Sequence, residues 1–386
     1  MILFEQCEVF APEAHGRCDV LLAGTRVEAV APHLELPAAW DVDVVNGQGL
    51  RLIPGLIDGH VHITGGGGEG GPATRTPELQ LAQLRAGAIT TVVGCLGTDG
   101  FTRSLEGLLM KAKGLRAEGV SCWVYTGSYQ YPPPTLLGDV ARDIALIDEV
   151  IGVAELALAD HRGSGVTADE LVRLAAHARL GGMLGGKAGI VHCHMGDGRD
   201  PFRLIHEAVG RSELRLSQFW PTHCNRNEHI FEAALAFGRE APIDFTTSSY
   251  PFYPDEERKP SRAVREIAEA GVPLPHVTMT SDGCGSLPAF DESGRLVRLV
   301  SGEPKTLLDE VLDLERVEGW PLERALLPAT TSVADLLKLP RKGRVSVGAD
   351  ADVAVLDRDG HVLHLVARGE FLVRDGQPVR RGSFEP

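Results

Sequence analysis

No apolar run in the 386 residues approaches the roughly 18 that a membrane-spanning helix needs. The seven cysteines are scattered, without a Cys-x-x-Cys pair, which argues against both a disulfide framework and a thiolate zinc site. Positive charge is short of negative, and a formal net charge of −15 would repel a nucleic-acid duplex or an anionic membrane. The first residues, MILFEQCEVFAPE, carry acids early and no basic segment, so they do not read as a secretion signal. No internal repeat or low-complexity tract interrupts the chain. What these absences leave is a cytoplasmic globular protein with reduced thiols, 43% hydrophobic, long enough for one large core and a smaller module.

The stretch that organises the rest is Leu52–Gly71, LIPGLIDGHVHITGGGGEGG. An apolar segment, Leu52–Ile57, runs into Asp58, His60 and His62, then into a glycine loop with one acid, Glu69. On a strand, residues two apart face the same way, so the two imidazoles would project together and can hold a divalent transition metal. A bare His-x-His pair is more often an ordinary exposed strand, so the residues around it decide.

Residues 1–50 read as short strands at Met1–Phe10, Asp19–Ala23, Val27–Ala31 and Val42–Asn46. The C-terminal segment reads the same way at Val345–Val347, Val353–Leu356, Val362–Ala367 and Glu370–Arg374. Each end is too short for its own core, so residues 1–50 and 343–386 are expected to build one small β-sandwich-like domain. Between them, over 51–342, strands at Leu52–Ile57, Thr90–Gly94, Cys122–Thr126, Ile151–Ala157, Gly189–His194, Gln218–Thr222, Ile243–Thr246 and Val277–Thr280 alternate with helical stretches. Those stretches include Pro77–Ala86, Ser104–Glu118, Thr167–Leu180, Asn227–Phe237 and Ser261–Ala270, and Thr167 with Glu170 has the form of a capping box. The expected fold is α/β, a (β/α)8 TIM barrel. Ser248–Pro260, rich in proline and aromatic residues, is expected to be an active-site flap.

In such barrels the chemistry lies where strands end. The expected strand ends present His60 and His62, Glu155, His194, His223 and Asp282, a donor set for two divalent ions. Zinc suits imidazole with carboxylate best.

The pattern PG-x-ID-x-H-x-H resembles the first metal-binding strand of the amidohydrolase superfamily. Nearly the whole chain is similar to the isoaspartyl (β-aspartyl) dipeptidases, through GGGGEGGP, CLGTDG, YTGSYQ, ALADHR, GGKAGIVHCHMGD, PTHCNRN, SDGCGS and GRVSVGADADVAVLD. The resemblance implies hydrolysis of the isopeptide bond of a β-aspartyl dipeptide by a metal-bridging hydroxide, in a cytoplasmic homo-oligomer, an octamer in that family. It puts metal ligands on His60, His62, His194, His223 and Asp282. It puts substrate contacts on Gly67, Glu69, Thr98, Tyr129, Arg162, Arg226 and Ser286, with Asp282, Tyr129 and Glu69 in catalytic roles. The chemistry is consistent with those residues. Glu69 can pair with the free ammonium, and Arg162 and Arg226 can fork onto carboxylates. Thr98 and Ser286 can take the remaining carboxylate, Tyr129 can donate to the developing oxyanion, and Asp282 can move the proton.

One departure stands out. The family's fourth strand carries a lysine whose carbamate bridges the metals, whereas here Glu155 stands seven residues before Arg162. Three other features point elsewhere. Gly181–Lys187 spells G-x-x-x-x-G-K, but Ala188 replaces the Ser or Thr of a phosphate loop, so a tight turn is the better reading. His192 shares a face with His194 one layer deeper, as an interior hydrogen-bonded histidine rather than a third ligand. Cys193 and Cys224 are expected to face the helix layer, and Cys284 stands where the resemblance leads one to expect a polar amide. The competing readings are another binuclear amidohydrolase, D-aminoacylase-like or cyclic-amide-hydrolysing, and a non-catalytic barrel subunit, which would be expected to lose ligands.

Overall fold

The structure, a computed structural model, describes residues 1–290 and 295–385. Pro386, the end of the expected C-terminal domain segment, lies outside them. Both chain ends enter one nine-stranded sheet. Across it run Gln377–Pro378, Glu370–Arg374, Val362–Ala367, Val353–Leu356, Arg51–Pro54, Ile2–Phe10, Ala14–Ala23 and Arg26–Ala31, with Asp43–Asn46 also paired to Ile2–Phe10. The seam between the two ends is Arg51–Pro54, where Ile53 stands opposite Ala354 and Leu52 beside Val9. Alternation puts Phe4, Val9, Val20, Leu52, Val353 and Val355 into one buried cluster.

Leu52–Ile57 is therefore not one strand. Arg51–Pro54 belongs to the terminal sheet, and the first parallel strand is Leu56–Val61. The chain changes sheets at Gly55, whose N–H bonds Asp352 while the next N–H bonds Ala88. A side chain at Gly55 would overlap Thr90, so glycine is required at the crossing. Val345–Val347 is irregular rather than a strand.

Six consecutive strands form a parallel sheet: Leu56–Val61, Ile89–Gly94, Ser121–Thr126, Val150–Leu158, Ile190–Met195 and Phe219–Thr222. Ile243–Thr246 and Val277–Thr280 form a parallel pair. Hydrogen bonds join that pair to both edges of the six. Cys224 donates to Asp244 on one side, and Asp282 to His60 and His62 to Gly283 on the other. Helices intervene along the chain. The longest, Ala168–Gly185, buries Leu171, Leu174, Ala175, Ala178, Gly181 and Gly182, the spacing of one helical face, under a Thr167/Glu170 capping box. The helix thus runs through Gly181–Gly185, and the turn is confined to Gly186–Lys187, with Gly186 left-handed at φ 64°. Glycine is needed there because Gly181 rests on Ala141 and Ile144, and Gly182 on Gly189. No helix among the described residues is long and apolar enough to cross a membrane.

Candidate metal centre and substrate pocket

His60 lies in the first parallel strand and His62 directly after it. Glu155 is in the fourth strand, Val150–Leu158, and His194 in the fifth, Ile190–Met195; His223 follows the sixth and Asp282 the eighth. The structure brings all six together, none more than 8% exposed. His60 Nε2 is 3.2 Å and His62 Nε2 3.6 Å from Glu155 Oε2. The same two nitrogens are 3.6 and 3.0 Å from Asp282 Oδ1. The other oxygen, Glu155 Oε1, is 2.9 Å from His194 Nδ1 and 3.1 Å from His223 Nε2. Each oxygen of one carboxylate thus faces one pair of imidazoles.

Local structure holds these positions. His223 and Asp282 are non-glycine residues with left-handed backbones, φ 61° and 54°, the kind of strained turn that clusters at functional sites. Thr246 Oγ1 sits 2.7 Å from His223 Nδ1 and fixes the ring. Asn225 ties the same loop to the seventh strand, bonding the Thr246 backbone through both its amide atoms.

Burial opposes ionisation at His60, His62, Glu155, His223 and Asp282, and the neighbouring groups decide the outcome. At His60 burial pulls the pKa down, but Glu155, then Cys95 and Asp282, hold it well above the usual value. Burial raises Glu155 and Asp282, yet the facing imidazoles, His60 foremost, keep both carboxylates ionised. His223 falls to about 3, through burial and then the nearby His194 and Arg226.

The donors fit divalent metal ions. His60 Nε2, Glu155 Oε2 and Asp282 Oδ1 are buried, face one another, and have no hydrogen-bond partner among the described residues. Buried polar atoms of this kind need a partner, and nitrogen with carboxylate oxygen is a donor set for such an ion. Within the cluster, two groupings have candidate ligand atoms all within 4.8 Å: His60, His62, Cys95 and Glu155, and Glu155, His194 and His223. Glu155 belongs to both.

The expected substrate residues gather on one side of this cluster. Glu69 Oε1 accepts from Ser286 Oγ at 2.8 Å and Thr98 Oγ1 at 3.2 Å, and lies 3.7 Å from Arg162. Its Oε2 is buried without a partner. Thr98 and Ser286, expected toward a carboxylate of the substrate, are thus engaged with Glu69. Gly67, at φ 77°, leaves no room for a side chain against Thr74. Tyr129 Oη is 2.7 Å from His194 Nδ1, and burial keeps the phenol well above its usual pKa. Arg162 lies over the Tyr129 ring. Its Nε and one terminal nitrogen already fork onto Asp160, at 3.0 and 2.8 Å, and the other terminal nitrogen faces Glu69 Oε1 at 3.7 Å. Arg226 is 3.4 Å from His194 Nε2 and 4.0 Å from Asp160.

Sequence reasoning missed two neighbours. Asp160 is two residues from Arg162 in ALADHR, yet only folding shows it touching His194 Nε2 at 3.0 Å. Cys95 directly follows the second parallel strand and lies 3.7 Å from His62 Nδ1, so a thiol does approach the cluster. Counting cysteines as well as histidines and acids at strand ends would have found it. His192 is buried one layer deeper, its Nδ1 2.9 Å from the Trp220 carbonyl. Cys193 and Cys224 join the main hydrophobic cluster. Cys284 is buried in that cluster too; its carbonyl accepts from Thr76 and its Sγ from the Gln83 amide at 3.9 Å.

The sequence pattern of the amidohydrolase family matches residues 177–372, half of the chain. A beta-aspartyl dipeptidase from thermophilic, keratin-degrading Fervidobacterium islandicum AW-1 is 41% identical over 100% of both chains, and its crystal structure with the dipeptide beta-Asp-Leu aligns at a TM-score of 0.92. The chain belongs to the amidohydrolase family. That family is metal-dependent, and its fold is of the TIM-barrel type. An allantoinase from Deinococcus radiodurans is 25% identical, covering 100% of this chain and 92% of that one. An imidazolonepropionase from Chromobacterium violaceum is 34% identical over 116 residues, and the match spans only 27% of that protein.

Proposed function

We propose that this amidohydrolase is a metal-dependent dipeptidase that hydrolyses the β-aspartyl isopeptide bond of dipeptides. The observation that carries the reading is the placement of one acid with an unpartnered oxygen, Glu69, and two arginines, Arg162 and Arg226, around the imidazole–carboxylate cluster. A β-aspartyl dipeptide offers one ammonium and two carboxylates, the complementary set of charges. The 41% identity to a beta-aspartyl dipeptidase along the whole chain supports the same substrate class.

His60, His62 and Asp282 would hold one ion, His194 and His223 the other, with Glu155 between them. Bound there, divalent ions supply Lewis-acid polarisation of the scissile carbonyl and acidify a water near neutral pH. Zinc is the reading the donor set favours. Glu69 Oε2 takes the substrate ammonium. Arg226 forks onto the carboxylate of the leaving residue, and the Arg162 terminal nitrogen not held by Asp160 reaches the other carboxylate. Tyr129, kept protonated by its raised pKa, donates its hydroxyl to the carbonyl oxygen as charge develops there. Asp282, held ionised, accepts the proton of the attacking water and delivers it to the departing amine.

Hydrogen bonds at both seams between the six-stranded sheet and the two-stranded pair support closure into a (β/α)8 barrel, with the terminal sheet as a sandwich-like second domain. Seven buried free cysteines suit a reducing cytoplasm, and the family resemblance supports a homo-oligomer.

The test is a panel of β-Asp-Leu, α-Asp-Leu, N-acyl amino acids and a cyclic amide, with metal content measured on the same protein. The reading requires β-Asp-Leu to be turned over far faster than the rest by protein carrying two metals per chain. Faster turnover of the N-acyl amino acids or the cyclic amide would assign the site to another reaction of the family.

A further inference from the structure

Asp160 lies outside the imidazole cluster, with its side chain 4% exposed. Its Oδ1 accepts from the backbone N–H of Arg162 at 2.8 Å and from Arg162 Nε at 3.0 Å. Its Oδ2 accepts from the Arg162 terminal nitrogen at 2.8 Å and stands 3.0 Å from His194 Nε2. That nitrogen of His194 therefore has neighbours of opposite demand, one acceptor and two donors, the second donor being Arg226 at 3.4 Å. Asp160 can only accept a proton from it, whereas the Arg162 terminal nitrogen, also 3.0 Å away, can only donate to it. The far side of the ring, Nδ1, faces Glu155, Tyr129 and His223 at 2.7–2.9 Å.

A neutral imidazole carries one proton, so the group facing Nε2 selects which nitrogen keeps its lone pair. With the proton on Nε2 and directed at Asp160, Nδ1 presents its lone pair to the cluster. With Arg162 alone in command, Nε2 would accept and the proton would lie on Nδ1, which could then not ligate.

We propose that Asp160 is a positioning residue that fixes His194 in its metal-ligating tautomer while occupying the fork of Arg162. The inference rests on the two-metal reading of the site. Asp160 thereby couples the ligand field to the substrate pocket, since one carboxylate orients a ligand and aims an arginine. A carboxylate behind a ligating histidine is a recurring arrangement whose loss costs about ten- to a hundredfold in metal affinity or activity.

Asp160→Asn separates this role from a structural one. The carboxamide oxygen is drawn to the two donors of Arg162, its backbone N–H and Nε, so the loop keeps those bonds. Its NH2 then faces His194 Nε2 as a donor and imposes the non-ligating tautomer. Metal-free protein is titrated with Co2+ and followed by visible absorption, and zinc content is measured after dialysis against zinc buffers, both without substrate. The expected result is native melting behaviour, retention of one metal per chain, and a second site weakened about ten- to a hundredfold. Asp160→Ala, read in the same way, leaves Arg162 and Arg226 as the donors facing Nε2 and is expected to weaken the same site by a similar factor. Should the Asn variant not fold, Asp160→Ala decides alone. Two metals bound with wild-type affinity in the folded variant would overturn the proposal. Failure of the wild-type protein to bind two metals would instead overturn the reading of the site on which it rests.

Discussion

Glu69 has one oxygen committed to Thr98 and Ser286 and the other buried without a partner. That division gives the residue scale its clearest prediction. Glu69→Gln removes the charge but not the two hydroxyl contacts, so the pocket stays formed while the ammonium loses its ionic partner. A hydrogen bond to a charged group contributes about 1.5–3 kcal/mol, so kcat/KM for β-Asp-Leu should fall about ten- to a hundredfold with metal content unchanged. Equal turnover of β-Asp-Leu and its N-acetyl derivative by the wild-type protein would contradict the role. Tyr129→Phe should instead lower kcat about a hundred- to a thousandfold with little change in KM, as expected for a donor used only in the transition state. A rise in KM at constant kcat would make Tyr129 a ground-state contact. Glu69 and Tyr129 could be picked out as candidates from the sequence, because the glycine loop and YTGSYQ are short and local. Their partners could not. Thr98 and Ser286 reach Glu69 from positions 29 and 217 residues away, and no local pattern encodes such a contact.

At the scale of elements, the strands that carry the clustered histidines and acids were the most legible, since buried parallel strands read as apolar runs flanked by turn residues. Leu52–Ile57 misled because an apolar run carries no mark of where one sheet gives way to another. Only the close approach of Gly55 to Thr90 reveals the crossing. The short helix Val140–Leu146 and the hairpin of Ser286–Phe290 with Leu296–Ser301 escaped, the first for want of length and the second because its apolar residues do not mark a buried face. The expected flap, Ser248–Pro260, is a series of turns plus the first residue of a helix, and it docks on that hairpin through Tyr253 Oη to the Pro288 carbonyl at 2.9 Å. Within it Glu257 accepts from Ser249 at 2.6 Å, yet burial pushes its carboxyl up to about 7. An unfolded glutamate titrates near 4.3, so between roughly 4.3 and 7 the folded state holds more protons, and stability falls as pH rises through that window. Glu257→Gln should accordingly raise Tm at pH 8 and leave it nearly unchanged at pH 4, below the unfolded pKa. An equal shift at both pH values would show that the carboxyl charge is not the cause.

For the molecule as a whole, the cluster draws on the first, fourth, fifth, sixth and eighth parallel strands, so its side chains come from around the entire strand set. The terminal sheet is fastened to this body by buried and half-buried ions. Lys342 bonds Ser121 of the third parallel strand while pairing with Asp350 and Asp352, and Arg51 forks onto Glu315 of the helix Thr306–Arg316. The pairing of the two chain ends was legible because neither end carries enough apolar surface alone, whereas these long-range fastenings were not. The centre itself depends on Glu155, the single carboxylate that faces both imidazole pairs. Without it, four buried imidazoles would face one another across a gap, with Asp282 beside one pair and Asp160 only on the outer nitrogen of His194. The most direct test of the account is therefore the metal content of purified, dialysed Glu155→Ala protein, with turnover of β-Asp-Leu measured on the same sample. Loss of at least one metal per chain together with nearly all turnover is the predicted result. Two metals per chain at the wild-type rate would contradict it.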